Sequence, residues 1–128
     1  MKISHIAIWT NNLDRLRDFY CHYFGAKSNE KYTNRVKQFS SYFLTFENGE
    51  CSLELMNKRV LDGTSKSGSE IGLAHFAIAT GSKEKVDLMT EQFRIEGYSV
   101  ISEPRFTGDG FYESAISDPD GNVIEITI

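Results

Sequence analysis

The sequence predicts an α+β fold built from two repeated β-α-β-β-β modules that form a curved, mostly antiparallel sheet. The first observation is a repeated phrase. Ile3-Ser4-His5-Ile6-Ala7-Ile8 returns as Leu73-Ala74-His75-Phe76-Ala77-Ile78, and each copy precedes a helical pattern ending in glycine. The second is that the halves close alike, on Ser52-Leu53-Glu54-Leu55 and on Val123-Ile124-Glu125-Ile126. His5 to Glu54 spans 49 positions and His75 to Glu125 spans 50. Self-similarity at a fixed period dictates architecture before any local propensity does. Module one is placed at about 1–57, a linker at about 58–71 and module two at about 72–128, within a single domain of 128 residues.

Each element has a local reason. Lys2 to Trp9 alternates and is β-rich, which suits a strand. Asn11 or Asn12 can cap the following helix through a side-chain oxygen. Leu13, Leu16, Tyr20 and Phe24 give that helix one apolar face, and Gly25 suits the left-handed residue that ends it. A weak strand is expected from Lys27 to Tyr32 and a firmer one from Phe39 to Phe46. Glu47-Asn48-Gly49-Glu50 carries the Asn-Gly hairpin signal, and Cys51 to Met56 is the strand it leads into. Lys58 to Ile71 turns polar, with Gly63, Ser65, Ser67, Gly68 and Ser69, and reads as a connection.

The second half follows the same order. A strand with His75 at its middle runs from Gly72 to Ala79. Ser82 caps a helix whose apolar stripe includes Val86, Met89 and Phe93, and Gly97 ends it. A strand is expected from Tyr98 to Ser102, a loop from Pro104 to Gly110 and a strand from Phe111 to Ser117. In Asp118-Pro119-Asp120-Gly121, Pro presets one turn dihedral and Gly supplies the positive one. Asn122 to Ile128 is the last strand.

Composition narrows the function classes. The 40% hydrophobic and 25% charged residues are ordinary for a globular protein, and a net charge of −4 argues against a nucleic-acid partner. No stretch approaches the roughly 18 apolar residues of a membrane span, and the N-terminus lacks the apolar core of a secretory signal. Cys21 and Cys51 have no C-x-x-C spacing, which fits two reduced thiols in a cytoplasmic protein.

Strand side chains alternate faces, so His5 is expected beside Ala7 and Trp9, and His75 beside Ala77 and Ala79. Small alanines leave room above an imidazole. Glu54 and Glu125 each stand opposite to a row of Leu or Ile. Singly, each glutamate is what a half-wet strand displays, and a lone strand histidine is more often a hydrogen-bonded core residue. Four such residues at matched places in a repeat point to convergence. Two imidazoles and two carboxylates suit one divalent ion, whether Zn, Ni, Co, Mn or Fe. Such an ion polarises a substrate carbonyl or alkoxide, and a carboxylate beside it can move a proton on the neighbouring carbon.

With these residues in place, the sequence resembles the vicinal oxygen chelate superfamily of glyoxalases, bleomycin resistance proteins and dioxygenases. The marks are the His5 strand followed by Leu16-Arg17-Asp18-Phe19-Tyr20, the His75 strand, and Phe111-Tyr112-Glu113 running into Asp118-Pro119-Asp120-Gly121-Asn122 and Ile124-Glu125. The resemblance implies paired modules around a metal cleft. The order His5, Glu54, His75, Glu125 is similar to the ligand order of lactoylglutathione lyases, in which a glutamate carries a proton between adjacent carbons through an enediolate. It implies Glu125 as the base, Glu54 as its symmetric counterpart, and a thiol co-substrate such as glutathione. Family members are commonly dimers, so it also implies a homodimer, with the site built within one chain or between two.

Two positions depart from the glyoxalase pattern. Trp9 stands where an arginine usually helps hold the glutathione carboxylate, and Lys58 stands where Asn is usual. Trp9, Lys58, Arg105 and Tyr112 are candidates for substrate contact: Arg105 and Lys58 for an anionic tail, Trp9 and Tyr112 for a pocket wall. His22, late in the first helix, reads as a surface or interface residue, and nothing marks Cys51 as a nucleophile. The expectation is a metal-dependent lyase or isomerase acting on an oxygenated small molecule. The alternatives are a drug- or metabolite-sequestering protein, or an epimerase, thiol transferase or dioxygenase.

Overall fold

Strand β1 (His5–Trp9) shows the rule that organises both halves: Ile8 is buried, while His5, Ala7 and Trp9 on the other face are exposed. The computed structural model describes residues 3–58, 73–108 and 110–128. The chain divides into two compact units, Met1–Gly63 and Thr64–Ile128. Apart from Lys58, the expected linker lies outside the described residues.

In the first unit β1 leads into helix α1 (Leu13–Phe24). Asn12 caps it by accepting from the Arg15 amide at 3.0 Å. Gly25 closes it at φ +63°, the left-handed geometry that costs an L side chain energy. The helix buries Leu13, Leu16, Phe19 and Tyr20. These pack on the side of the sheet that carries Tyr42, Leu44, Leu53 and Leu55, all buried. The sheet contains β2 (Lys27–Ser28), β3 (Tyr32–Asn34), β4 (Phe39–Thr45) and β5 (Ser52–Lys58). Its order is β1-β5-β4-β2, with β3 also on β4. β1 and β5 run parallel and the remaining pairs antiparallel.

The single weak strand expected from Lys27 to Tyr32 is two short ones. Asn29 interrupts it, because its side-chain oxygen takes the Phe43 amide at 2.8 Å in place of a backbone partner. In the Asn-Gly turn only Asn48 has positive φ, +59°.

The second unit runs β6 (Phe76–Ala79), α2 (Lys83–Ile95), β7 (Val100–Phe106), β8 (Tyr112–Ser117) and β9 (Val123–Thr127). Its sheet order is β6-β9-β8-β7, again with a parallel pair, β6 and β9. Ser82 caps α2, which buries Val86, Thr90 and Phe93. Thr90 rather than Met89 completes the buried stripe, and its hydroxyl meets that of Ser114 at 2.6 Å. The turn after β8 is held by Asp118, whose carboxylate accepts from the amides of Asp120 and Asn122, both at 2.9 Å.

Pro104, expected to begin a loop, lies within β7. This is an edge strand, and its register to β8 shifts between Ser102 and Arg105. An edge with an irregular ladder is where a residue lacking an N–H can sit in a sheet.

Both units tie helix to sheet through a tyrosine–aspartate bond, and a lysine joins each aspartate. In the first, Tyr42 donates to Asp14 at 2.8 Å and Lys31 donates to Asp14 at 2.9 Å. In the second, Tyr112 and Lys83 donate to Asp87 at 2.5 and 2.8 Å. These bonds hold both carboxyls below the ordinary carboxylate range, chiefly through Lys31 on Asp14 and Lys83 on Asp87.

Candidate functional site

Parallel pairing decides which side chains meet on the helix-free face of each sheet. In the first unit Ala7 lies opposite Glu54 and His5 opposite Ser52. The histidine is therefore diagonal to the glutamate, and only an alanine methyl stands directly across. His5 Nε2 is 3.9 Å from Glu54 Oε2. In the second unit Ala77 lies opposite Glu125, and His75 Nε2 is 3.1 Å from Glu125 Oε2. The same offset occurs twice: a histidine two residues before the alanine that faces the glutamate. Both imidazoles are about half-exposed and both carboxylates are mostly covered.

His75 does not sit in mid-strand as expected. It immediately precedes β6, whose ladder to β9 begins at Phe76 opposite Ile124. His5 has an orienting neighbour, with Ser4 Oγ 3.1 Å from its Nδ1, which leaves Nε2 for the glutamate side. Its ring also meets the Phe43 ring edge-on at 5.6 Å.

The remaining candidates divide. Trp9 shares the His5 face, and Lys58 stands on it with Nζ 4.9 Å from the Trp9 ring centre. Arg105 lies opposite Glu113 in the β7–β8 ladder, with Nη2 3.8 Å from Glu113 Oε1, and Nη1 donates to Ser102. Glu113 and Ala115 share a face, and Ala115 is opposite Glu125, so Arg105 belongs to the Glu125 side. Tyr112 does not. It is buried on the helix side, its hydroxyl bonded to Asp87. Strand parity explains the correction, because Glu113 rather than Tyr112 shares the face of Glu125. Sequence reasoning also missed Phe39, Phe43, Tyr32 and Met56 beside Trp9. Their alternation was visible, but their common face depends on the register of three strands.

Elsewhere His22 is exposed on α1 and its ring lies against Tyr23 at 4.7 Å. Cys51 is half-buried, with Sγ 3.6 Å from the Ser52 carbonyl. A polar hollow of about 230 Å³ lies at the start of α1, lined in part by Asn11, Asp14, Lys31, Ser40 and Asn57. Its lining does not include His5 or Glu54, and within it Lys31 donates to Asp14.

The donor chemistry can be tested against a metal. Bonds of about 2.0–2.2 Å to imidazole nitrogen and carboxylate oxygen, at right angles, leave two ligand atoms about 3 Å apart. The His75–Glu125 pair has that spacing, and the His5–Glu54 pair is about 1 Å wider. Among the described residues no three His, Cys, Asp or Glu side chains gather as a metal-binding group, so the donors stand in twos. Each pair fits half of a ligand set.

The sequence model of the glyoxalase/bleomycin resistance protein/dioxygenase superfamily matches residues 2–126. The chain belongs to this superfamily. Among curated relatives, lactoylglutathione lyase GLX1 of Arabidopsis thaliana is 31% identical over 98% of the chain, and a putative lactoylglutathione lyase of Brassica oleracea var. gemmifera is 32% identical over the same share. The chain spans only 43% of the length of each. Glyoxalase I of Zea mays matches 98% of the chain and 44% of its own, with a TM-score of 0.78 and 26% identity. A glyoxylase/bleomycin resistance protein/dioxygenase domain from Frankia sp. EAN1pec matches all of the chain and 97% of its own, with a TM-score of 0.84 and 16% identity, a likeness of fold alone. The modular βαβββ fold expected from the repeat is therefore the fold of this superfamily. Among the described residues no helix is long and apolar enough to cross a membrane.

Proposed function

We propose that the protein is a divalent-metal-dependent, glyoxalase-like lyase or isomerase that moves a proton between adjacent carbons of an oxygenated small molecule. The observation that carries this reading is the twice-built His–Glu pair, His5 with Glu54 and His75 with Glu125, in one register and on one kind of face. Relatives named lactoylglutathione lyase support the reaction class. In this proposal His5, Glu54, His75 and Glu125 hold the ion, the two pairs coming from one chain or from two copies in a homodimer. A bound divalent ion would supply Lewis-acid polarisation to a substrate oxygen.

The chain's own residues do the rest. Both carboxylates lie on the helix-free faces of their sheets, each beside its histidine. Glu125 is assigned as the base that takes and returns the proton, with Glu54 as its counterpart. The more accessible Glu125 side chain, 22% against 15% exposed, supports that order. Arg105, already tied to Glu113, is assigned to an anionic substituent on the Glu125 side, and Trp9 and Lys58 to the substrate on the His5 side. Trp9 in the place of an arginine leaves open whether the co-substrate thiol is glutathione or another thiol.

Elemental analysis of the untagged protein, followed by methylglyoxal turnover with several thiols, tests the proposal. About one ion per site and turnover with at least one thiol are expected. In Glu125→Gln the ion should remain while turnover falls by about 10²–10⁴, the range of a lost general base. Unchanged turnover would remove Glu125 from the role. A protein that refuses added Ni, Zn, Co and Fe would favour a sequestering module on the same fold, which the exposed aromatic side chains beside His5 would also suit.

A further inference from the structure

The helix-free face of the first sheet carries more than a metal half-site. Three cross-strand rows can be read from its register. Ala7, Glu54 and Phe43 form the first. Trp9, Met56, Ser41 and Tyr32 form the second. Lys58, Phe39 and Asn34 form the third. Successive rows on one face are about 7 Å apart, two strand residues. Going outward from the carboxylate, the sheet thus offers an aromatic row and then a cation.

The aromatic groups form a corner. Trp9 and Phe39 meet edge-on, with centroids 6.3 Å apart and planes at 87°, and Tyr32 and Phe39 are 6.3 Å apart at 59°. By register Met56 and the small, buried Ser41 stand between Trp9 and Tyr32. Trp9 remains 46% exposed, Tyr32 53% and Phe43 36%. Lys58 reaches over the corner to the Trp9 ring, and among the described residues no carboxylate pairs with it.

The fold itself does not require these groups. The second sheet builds the same ladder with Ala79 at the place of Trp9, Thr127 at that of Met56, and Ala115 at that of Phe43. Exposed aromatic surface is unfavourable in water and adds nothing to the buried core. A ligand offers the missing partner. Flat rings gain from offset or edge-on contact with other rings, and the Lys58 ammonium beside Trp9 attracts an anion.

We propose that this face binds a planar aromatic acid, its ring set between Trp9, Phe39 and Tyr32 and its carboxylate on Lys58. The proposal rests on reading the His5–Glu54 face as a small-molecule site, and it names the class of molecule. The substituents of the ring opposite to the acid point toward Glu54 and His5, where oxygen atoms would be presented for reaction.

Trp9 is the one tryptophan of the chain, so its fluorescence reports on this face alone. The experiment titrates the 128-residue chain with phenylacetate, cyclohexylacetate and phenylacetamide, following Trp9 emission, and titrates Ni²⁺ by calorimetry in the same preparation. Phenylacetate should quench Trp9 and bind roughly five-fold more tightly than cyclohexylacetate, the scale of one ring–ring contact. It should also bind more tightly than phenylacetamide, and Lys58→Met should abolish that second preference while keeping the first. Equal binding of all three probes, or no quenching, overturns the aromatic-acid proposal. If Ni²⁺ binds in that case, the metal reading stands without it. Quenching in the expected order without Ni²⁺ binding upholds the aromatic site and removes the metal reading. Emission that is already blue-shifted and moves red on dilution would show a second copy of the chain covering the face, which also overturns the proposal.

Discussion

The sharpest consequence of the repeated pair is that its two copies should not contribute equally to metal affinity. Two ligand atoms bonded at about 2.1 Å on adjacent sites of one ion are about 3 Å apart. His75 and Glu125 stand at 3.1 Å and need almost no movement. His5 and Glu54 stand at 3.9 Å and must close by about 1 Å. Removing the preset half should therefore cost more than removing the half that must rearrange.

The assay is thermal unfolding with and without Ni²⁺. An ion present at 100 times its dissociation constant stabilises the folded state by about 2.7 kcal/mol. At about 2.1 cal/mol/K of unfolding entropy per residue, that shifts the midpoint of a chain this long by roughly 10 °C. At the same Ni²⁺ concentration His75→Ala should lose most of the shift and His5→Ala should keep a measurable part. Both imidazoles are about half-exposed, so the metal-free midpoints should stay within the roughly 0.5 kcal/mol typical of surface changes. A full shift in His75→Ala would refute its role as a ligand. A larger loss in His5→Ala than in His75→Ala would refute the argument from spacing.

Other consequences follow from the scaffold. Phe93 is fully buried under α2, and Phe93→Ala should cost about 3–5 kcal/mol in a denaturant titration; a loss under 1 kcal/mol would mean the second unit has no tight core there. Gly25→Ala forces a side chain into φ +63° and should cost about 1–2 kcal/mol, a reading that an unchanged midpoint would contradict. Asp14 is depressed by Lys31 and Tyr42, so its contribution is complete above the ordinary carboxylate value of about 3.9 and is lost as pH falls through the folded value. Asp14→Asn should accordingly flatten the acid limb of the stability profile below about pH 4; superimposable limbs would show that the bonds to Asp14 contribute nothing.

What could be read from the chain was what is local or repeated. Asn12, Gly25 and Ser82 mark helix ends through their own short-range bonds, and those ends stand where the residues placed them. The duplicated phrases fixed the order of elements and the inward and outward parity of β1, β5 and β9. What escaped was set by partners distant in sequence. Pro104 signals a break, but an irregular edge ladder tolerates it. Tyr112 sits next to Glu113, and only the pairing of β8 with β9 decides which of the two shares a face with Glu125. Asn29 splits a strand by bonding Phe43, fourteen residues away.

The same non-local register explains how one repeat can hold two different surroundings. In each unit, the parallel pairing of the first strand with the last places the histidine diagonal to the glutamate, whatever occupies the neighbouring strand. The residue across from the glutamate on that neighbour is free to vary, and it is Phe43 in one unit and Ala115 in the other. Phe43 touches the His5 ring, whereas the matched place holds the smaller Ala115, with Glu113 and Arg105 beyond it. A duplicated donor pair can thus be retained while one face becomes aromatic and the other polar. Phe43→Ala tests the point: metal-induced stabilisation should survive, because the donors keep their register, while phenylacetate quenching of Trp9 should weaken. Loss of the metal response instead would mean that the antiparallel neighbour, and not the parallel pair, positions the donors.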